Sequence, residues 1–274
     1  RLPEVFAASG AILREVGTTN RTYLRDYEQA IGENTGAIIR VHRSNFFQSG
    51  FVTEPDIADL VAVGKQHSVP VVDDLGSGCI ADLSAFGLKE PTVGQSVSAG
   101  ADLALFSGDK LFGGPQAGIV VGRSSHVETL RRNPMMRALR VDKSTLAAIE
   151  ATAEIHLSGN AVTELPLLQM MSKSADDVRI DCEAMLVKLN PRVRATVEIS
   201  ECTSSVGGGS VPGSQIASFG LKITSDNSDG FAAQLRSGSP AVLGRIHDDS
   251  VILDFRTVDS AQLEIVASRI NELF

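Results

Sequence analysis

Apolar positions along the chain fall into short blocks separated by polar turns. The runs Ala37–Val41, Val69–Val72 and Ala101–Phe106 are brief, rich in branched residues and bounded by turn residues. That is the pattern of strands buried on both faces of a parallel sheet. Gly118–Val121 reads as a further strand after a glycine-rich turn. Between the strands, Asp26–Ile31 and Glu54–His67 carry helical patterns, the second with Ile57, Leu60, Val61 and Val63 on one stripe. Thr53 is the expected N-cap of that helix, with Pro55 near its first turn. Strand–helix alternation of this kind predicts an α/β sheet.

The texture changes after Gly122. Asn133-Pro134 is expected to open a helix, and Ser144–Leu157 continues as an Ala-rich helix. Leu165–Leu189 reads as one long amphipathic helix stopped by Asn190-Pro191. Short alternating strands follow at Ala195–Ile199, Ile216–Ile223 and Val251–Phe255, with a closing helix over Ser260–Leu273 and Gly207–Gly209 as a loop within this half. The expected organisation is a major α/β domain over 1–140 and a smaller C-terminal α+β domain over 141–274.

Composition narrows the class. With 43% hydrophobic and 21% charged residues in a chain of 274, a globular protein with ample core is expected. No stretch approaches the ~18 apolar residues a membrane span needs, and the opening residues show no signal-like segment. Cys79, Cys182 and Cys202 are widely spaced, and with the five histidines they form no metal-ligand spacing. A cytoplasmic protein without a metal is the expectation. The net charge of −8 argues against a surface that grips nucleic acid throughout. One window runs the other way: Arg123, Arg131, Arg132, Arg137, Arg140 and Lys143 face only Glu128 and Asp142. It reads either as a local anion site or as a solvated helix face.

The segment Ser107-Gly-Asp-Lys110-Leu-Phe-Gly-Gly-Pro-Gln-Ala-Gly118 carries the most chemistry. A strand there delivers a lysine into a loop crowded with glycines, and glycine permits close backbone approach. A lysine so held can bond to an aldehyde cofactor, and Ser107 can hydrogen-bond a phosphate from the same turn. Alone, Lys110 reads more readily as a surface lysine in a tight turn. Asp74 ends the apolar run Val69–Val72 at the strand edge where α/β sheets bind ligands, placed to support a pyridine nitrogen. Its neighbour Asp73 is expected to point to the opposite face. His42 follows the strand Ala37–Val41 and could stack on a flat ring or serve as a structural histidine. Arg137 and Arg140, three apart, are expected to share one helix face near its N-terminus, suiting either a phosphate-like substrate or surface carboxylates.

Two rival motifs are weaker. Gly76-Ser-Gly-Cys-Ile-Ala81 matches the dinucleotide fingerprint loosely, but the two aspartates before it would repel a pyrophosphate. Ser107-x-x-Lys110 with Ser225-Asp-Asn227 is similar to penicillin-recognising serine enzymes, yet no Lys-Thr-Gly accompanies them.

Seven segments together resemble the bacterial selenocysteine synthase family, the L-seryl-tRNA(Sec) selenium transferases of the pyridoxal-phosphate-dependent fold type I. They are Glu15-Val-Gly-Thr-Thr-Asn-Arg21, Val41-His-Arg-Ser-Asn45, Val69-Pro-Val-Val-Asp-Asp-Leu-Gly-Ser-Gly78, the Phe106–Gly118 segment, Arg137-Ala-Leu-Arg-Val-Asp-Lys143, Gly244-Arg-Ile-His-Asp248 and Leu253-Asp-Phe-Arg256. The resemblance implies an aspartate aminotransferase-like major domain and pyridoxal 5'-phosphate as cofactor. It implies Lys110 as the cofactor-bonding lysine, Asp74 at the pyridine nitrogen, His42 on the ring face, Ser107 at the phosphate and Ser77 at the phenolic oxygen. Arg137 and Arg140 match the family's arginines for the selenium donor, selenophosphate.

The implied reaction converts seryl-tRNA(Sec) to selenocysteinyl-tRNA(Sec) through an aminoacrylyl intermediate, in a homo-oligomeric ring of dimers without membrane contact. An aminoacyl ester has no free α-carboxylate, so Arg256 is not needed to bind one and is open to a structural role. The family's upstream region, with a small tRNA-contacting domain and a glycine turn for the cofactor phosphate, has no counterpart here. A fragment that alone binds cofactor poorly and tRNA hardly at all is therefore expected. The alternatives are a paralogous pyridoxal-dependent lyase for a small phosphorylated substrate, a non-catalytic scaffold of the same fold, and a nicotinamide-binding oxidoreductase.

Overall fold

The computed structural model describes residues 2–274. Two compact units emerge, one reaching Gly159 and taking in Gly208–Gly213, the other comprising Asn160–Gly207 and Ser214–Phe274. The first unit thus runs past position 140. The physical reason is the helix Lys143–Leu157, whose Ile149 and Ala153 pack on the cluster of Leu75, Val93, Ala104, Phe106 and Phe112.

Four strands form the sheet of the first unit: β1 (Ile38–Val41), β2 (Val71–Gly76), β3 (Leu103–Ser107) and β4 (Gly118–Gly122), in the order β1-β2-β3-β4. β1 and β3 flank β2 in parallel, which brings Val41, Asp74 and Leu105 level. β4 differs from the other three in direction. It runs antiparallel to β3 and alternates exposed and half-buried residues, because the glycine-rich loop turns the chain straight back. The helix Ile57–His67 buries Leu60, Val61 and Val63 with Ile38 and Val71.

Three local expectations are corrected. Thr53 does not cap the helix: its backbone bridges the Arg21 segment, exchanging bonds with Asn20 O and Thr22 N–H, and the helix begins two residues after Pro55 with Asp56 as N-cap. Asn133-Pro134 opens no helix of its own. Asn133 Oδ1 accepts from the Met135 amide at 2.9 Å, making a turn, and only the single helical turn Met136–Leu139 follows. Such a side chain offers the backbone an alternative to helix. The run Leu165–Leu189 is two helices, Pro166–Ser172 and Ala175–Lys188. Ser174 breaks it by taking extended backbone and forming a reciprocal capping box with Asp177.

The second unit is the expected α+β arrangement. Its strands are β5 (Val197–Ser204), β6 (Ile216–Thr224), β7 (Arg245–His247) and β8 (Ser250–Asp254), antiparallel in the order β5-β6-β8-β7. Leu221, Ile223, Val251, Leu253 and Phe255 bury against Val178, Cys182 and Met185 of the helix Ala175–Lys188 and Val266 and Ile270 of the helix Leu263–Asn271. Each such side chain contributes ~1.5–3 kcal/mol of burial. Arg256 is 3% exposed and donates to the carbonyls of Met170, Lys173 and Ala217, so its role is structural. Among the described residues no helix is long and apolar enough to cross a membrane.

Candidate active site

The period-two pleat of β2 separates its two aspartates. Asp73 is fully buried and takes both guanidinium contacts of Arg40, at 2.8 and 2.7 Å, as well as the Ser96 hydroxyl. It is a closed structural ion pair. Asp74 points the other way and is half-buried. Burial pushes its carboxyl up, Asp73 adds to the shift, and the Gly76 amide and the Lys110 charge oppose it.

β3 ends at Ser107, and the loop beyond it folds on itself. Gly108 N–H donates to Ala117 O, Gly113 N–H to Lys110 O and Gly114 N–H to Gly108 O, all near 2.9 Å. The Leu111 amide donates to Ser77 O at 2.9 Å, tying the lysine loop to the end of β2. Gly78 makes that tie possible: it has φ +70°, and a Cβ there would come within 2.6 Å of Ser107 O.

Lys110 therefore rises beside the carboxyl end of β2. A Cβ at Gly76 would lie 3.9 Å from Lys110 Nζ, and one at Gly209 only 2.6 Å from it. Gly209, from the segment expected to be a loop of the C-terminal domain, thus lies against the lysine amine, with Asn45 Oδ1 also close to Gly209. Among the described residues no hydrogen bond or ion pair takes up the Lys110 amine. His42 follows β1, and its backbone N–H donates to Asp74 O at 2.8 Å. Its Nε2 and the Ser77 Oγ are buried without hydrogen-bond partners.

Lys110, Asp74, His42, Ser77 and Ser107 are thus gathered around one strand edge. The fit to a flat, polar cofactor rests on two observations: a buried hydroxyl left open at Ser77, and side-chain-free backbone at Gly76 and Gly209 around the amine. Cys79 supplies no rival nucleophile. Desolvation, then Glu90 and Asp82, push its thiol up to about 12. The residues after Gly76 form a loop rather than a helix start, which removes the dinucleotide reading.

Arg137 and Arg140 are not joined to this cluster by any hydrogen bond or ion pair among the described residues. They do not share a helix face: the helical turn ends at Leu139, and Arg140 is extended with ψ 138°. Both are exposed. The rest of the basic window is largely neutralised, Arg131 and Arg132 by Glu128 and Arg123 by Asp102. Gly209, Asn45 and Glu90 carry no site signal of their own in the sequence pattern. The Gly207–Gly209 run was the available signal for the first, and isolated polar residues gave none for the others.

The mixed sheet of the first unit and the antiparallel sheet of the second define a class, the α/β proteins of the aminotransferase-like fold. The structure is similar to that of D-glucosaminate-6-phosphate ammonia-lyase, with TM-score 0.62 and 21% identity, covering 99% of this chain and 66% of that one. The family model for L-seryl-tRNA selenium transferase matches residues 1–259, and the chain belongs to that family. It is 41% identical over 268 residues to the L-seryl-tRNA(Sec) selenium transferase of Carboxydothermus hydrogenoformans, covering 96% of this chain and 58% of that protein. The Geobacter metallireducens enzyme of the same name is 43% identical over 284 residues, covering 100% and 60%. The chain therefore spans about 60% of the length of the curated relatives it matches.

Proposed function

We propose that the polypeptide carrying this chain is a pyridoxal-phosphate-dependent selenium transferase, which replaces the hydroxyl of seryl-tRNA(Sec) with selenium from selenophosphate. The observation that carries this reading is the free Lys110 amine at the carboxyl end of β2, across from Asp74 and walled by two glycines. Lys110 would hold the cofactor aldehyde, Asp74 the pyridine nitrogen, His42 the ring face, and Ser77 and Ser107 the phenolic oxygen and the phosphate. When bound, the cofactor supplies an electron sink for charge developing at Cα.

The chain's own groups account for the remaining steps. Burial leaves Asp74 with an incompletely compensated carboxylate, so a protonated ring nitrogen is the partner it lacks. The Lys110 amine would take the proton from Cα of the seryl ester. The β-hydroxyl would leave as water, the selenium of selenophosphate would add at Cβ as a proton returns to Cα, and a water molecule would cleave the Se–P bond to release phosphate. Arg137 and Arg140, exposed and without acidic partners among the described residues, suit a donor that bears phosphate. The enzyme acts in the cytoplasm as a ring of dimers, and tRNA binds chiefly through a region outside this chain.

The test uses the full-length protein with its cofactor. Borohydride treatment followed by peptide mass spectrometry should recover the cofactor on Lys110. Lys110→Ala should lose the visible absorbance band and about 10³-fold in selenium transfer to seryl-tRNA. Recovery of the cofactor on another lysine would sink the assignment. Turnover of a free phosphorylated amino acid in place of seryl-tRNA would favour a lyase.

A further inference from the structure

Glu90 is a buried acid that this mechanism leaves unused. Its side chain is 1% exposed, and Oε1 lies 3.3 Å from His42 Nε2. The two atoms are buried and do not meet in hydrogen-bonding line, so each lacks a hydrogen-bond partner. A carboxylate removed from water without a bonded partner is costly, and such a group persists only where something uses it.

The loop that carries Glu90 is fixed. Leu88 is buried, Thr92 caps the helix Val93–Ala99 through a reciprocal box with Gln95, and the Val93 amide donates to Cys79 O at 2.9 Å. Glu90 thus reaches the site from a rigid support, with the neutral Cys79 thiol as its other near neighbour. His42 is anchored through its backbone, its N–H donating to Asp74 O and its carbonyl accepting from the Ser44 amide. Glu90 is the one polar side chain that addresses its imidazole among the described residues.

We propose that Glu90 is a positioning residue for His42: its carboxylate takes the Nε2 proton into a hydrogen bond and fixes the imidazole plane against the flat ring of the cofactor. This rests on the reading of His42 as the ring-stacking residue. A small rotation of the imidazole converts the 3.3 Å contact into that bond when the ring is in place.

Two measurements on the full-length protein test it. In the first, Glu90→Leu raises the dissociation constant for pyridoxal phosphate on the order of tenfold, whereas Glu90→Gln, which keeps an acceptor oxygen, stays close to the parent. In a His42→Ala background Glu90→Leu adds nothing further. An equal loss in that background, or no loss at all, overturns the proposal. In the second, made without cofactor, diethylpyrocarbonate acylates His42 several times faster in Glu90→Leu than in the parent or in Glu90→Gln, followed by peptide mass spectrometry. Identical rates in all three overturn it as well. Should the leucine variant not fold, Glu90→Met carries both comparisons. A parent protein that takes up no pyridoxal phosphate would refute the proposed function, while the labelling rates would still decide the role of Glu90.

Discussion

Adjacent carboxylates on β2 do different work because successive side chains leave a strand on opposite faces. Asp73 is closed off by Arg40 and Ser96, whereas Asp74 keeps a raised carboxyl pKa through burial. The sign of the second effect is definite. A folded-state pKa above the unfolded value means that the native state holds the proton more tightly, so stability falls as pH rises from the ordinary carboxylate value through the raised one. Cofactor-free Asp74→Asn should therefore resist urea better than the parent at pH 7, with the gap closing as the pH is lowered through the carboxylate range. A gap that widens on acidification would contradict this assignment. The same variant should lose cofactor affinity. At this scale the lysine, the two aspartates and His42 were legible, because strand ends and period-two alternation fix which way a residue points. Glu90 was not, since a single acid between Lys89 and Pro91 carries no periodic signal and its burial comes entirely from tertiary packing.

Among elements, the lysine loop depends on how near the end of β2 can approach it. Gly78→Ala would force a Cβ to within 2.6 Å of Ser107 O and 2.9 Å of the Phe106 ring at a left-handed φ of +70°. The expected outcome is a loss of roughly 1–3 kcal/mol in denaturant unfolding, together with weaker borohydride-trapped labelling of Lys110. Unchanged labelling would show that the loop tolerates a shifted β2 end. The strands were readable as short branched runs, but their partners were not: only the structure shows that β4 returns antiparallel. Helix ends went astray where polar side chains compete with the helix. Asn133 turns the chain before Arg137, and Ser174 restarts a helix that apolar spacing alone carries straight through. In the second case the Ser174-x-x-Asp177 box was present in the sequence as an unread signal.

For the whole molecule, each unit has its own apolar core, so damage should be local. Phe255 is completely buried in the second unit's core. Phe255→Ala should cost about 3–5 kcal/mol and, in hydrogen exchange, deprotect β6 and β8 while leaving β2 and β3 protected. Uniform deprotection would mean that the two cores open together. The α/β-then-α+β order was legible from strand texture, but the boundary was not, because the helix Lys143–Leu157 has the composition of either half and only its packing on Phe112 assigns it. The return of Gly208–Gly213 to the first unit was likewise out of reach of any local pattern. That return has a practical corollary. The backbone changes unit at 159/160, again at 207/208 and once more at 213/214, so no single cut frees a self-sufficient half. A polypeptide stopped at Gly159 would keep the lysine but forfeit the glycine that crowds its amine, and gene shuffling at that junction would have to carry both pieces together.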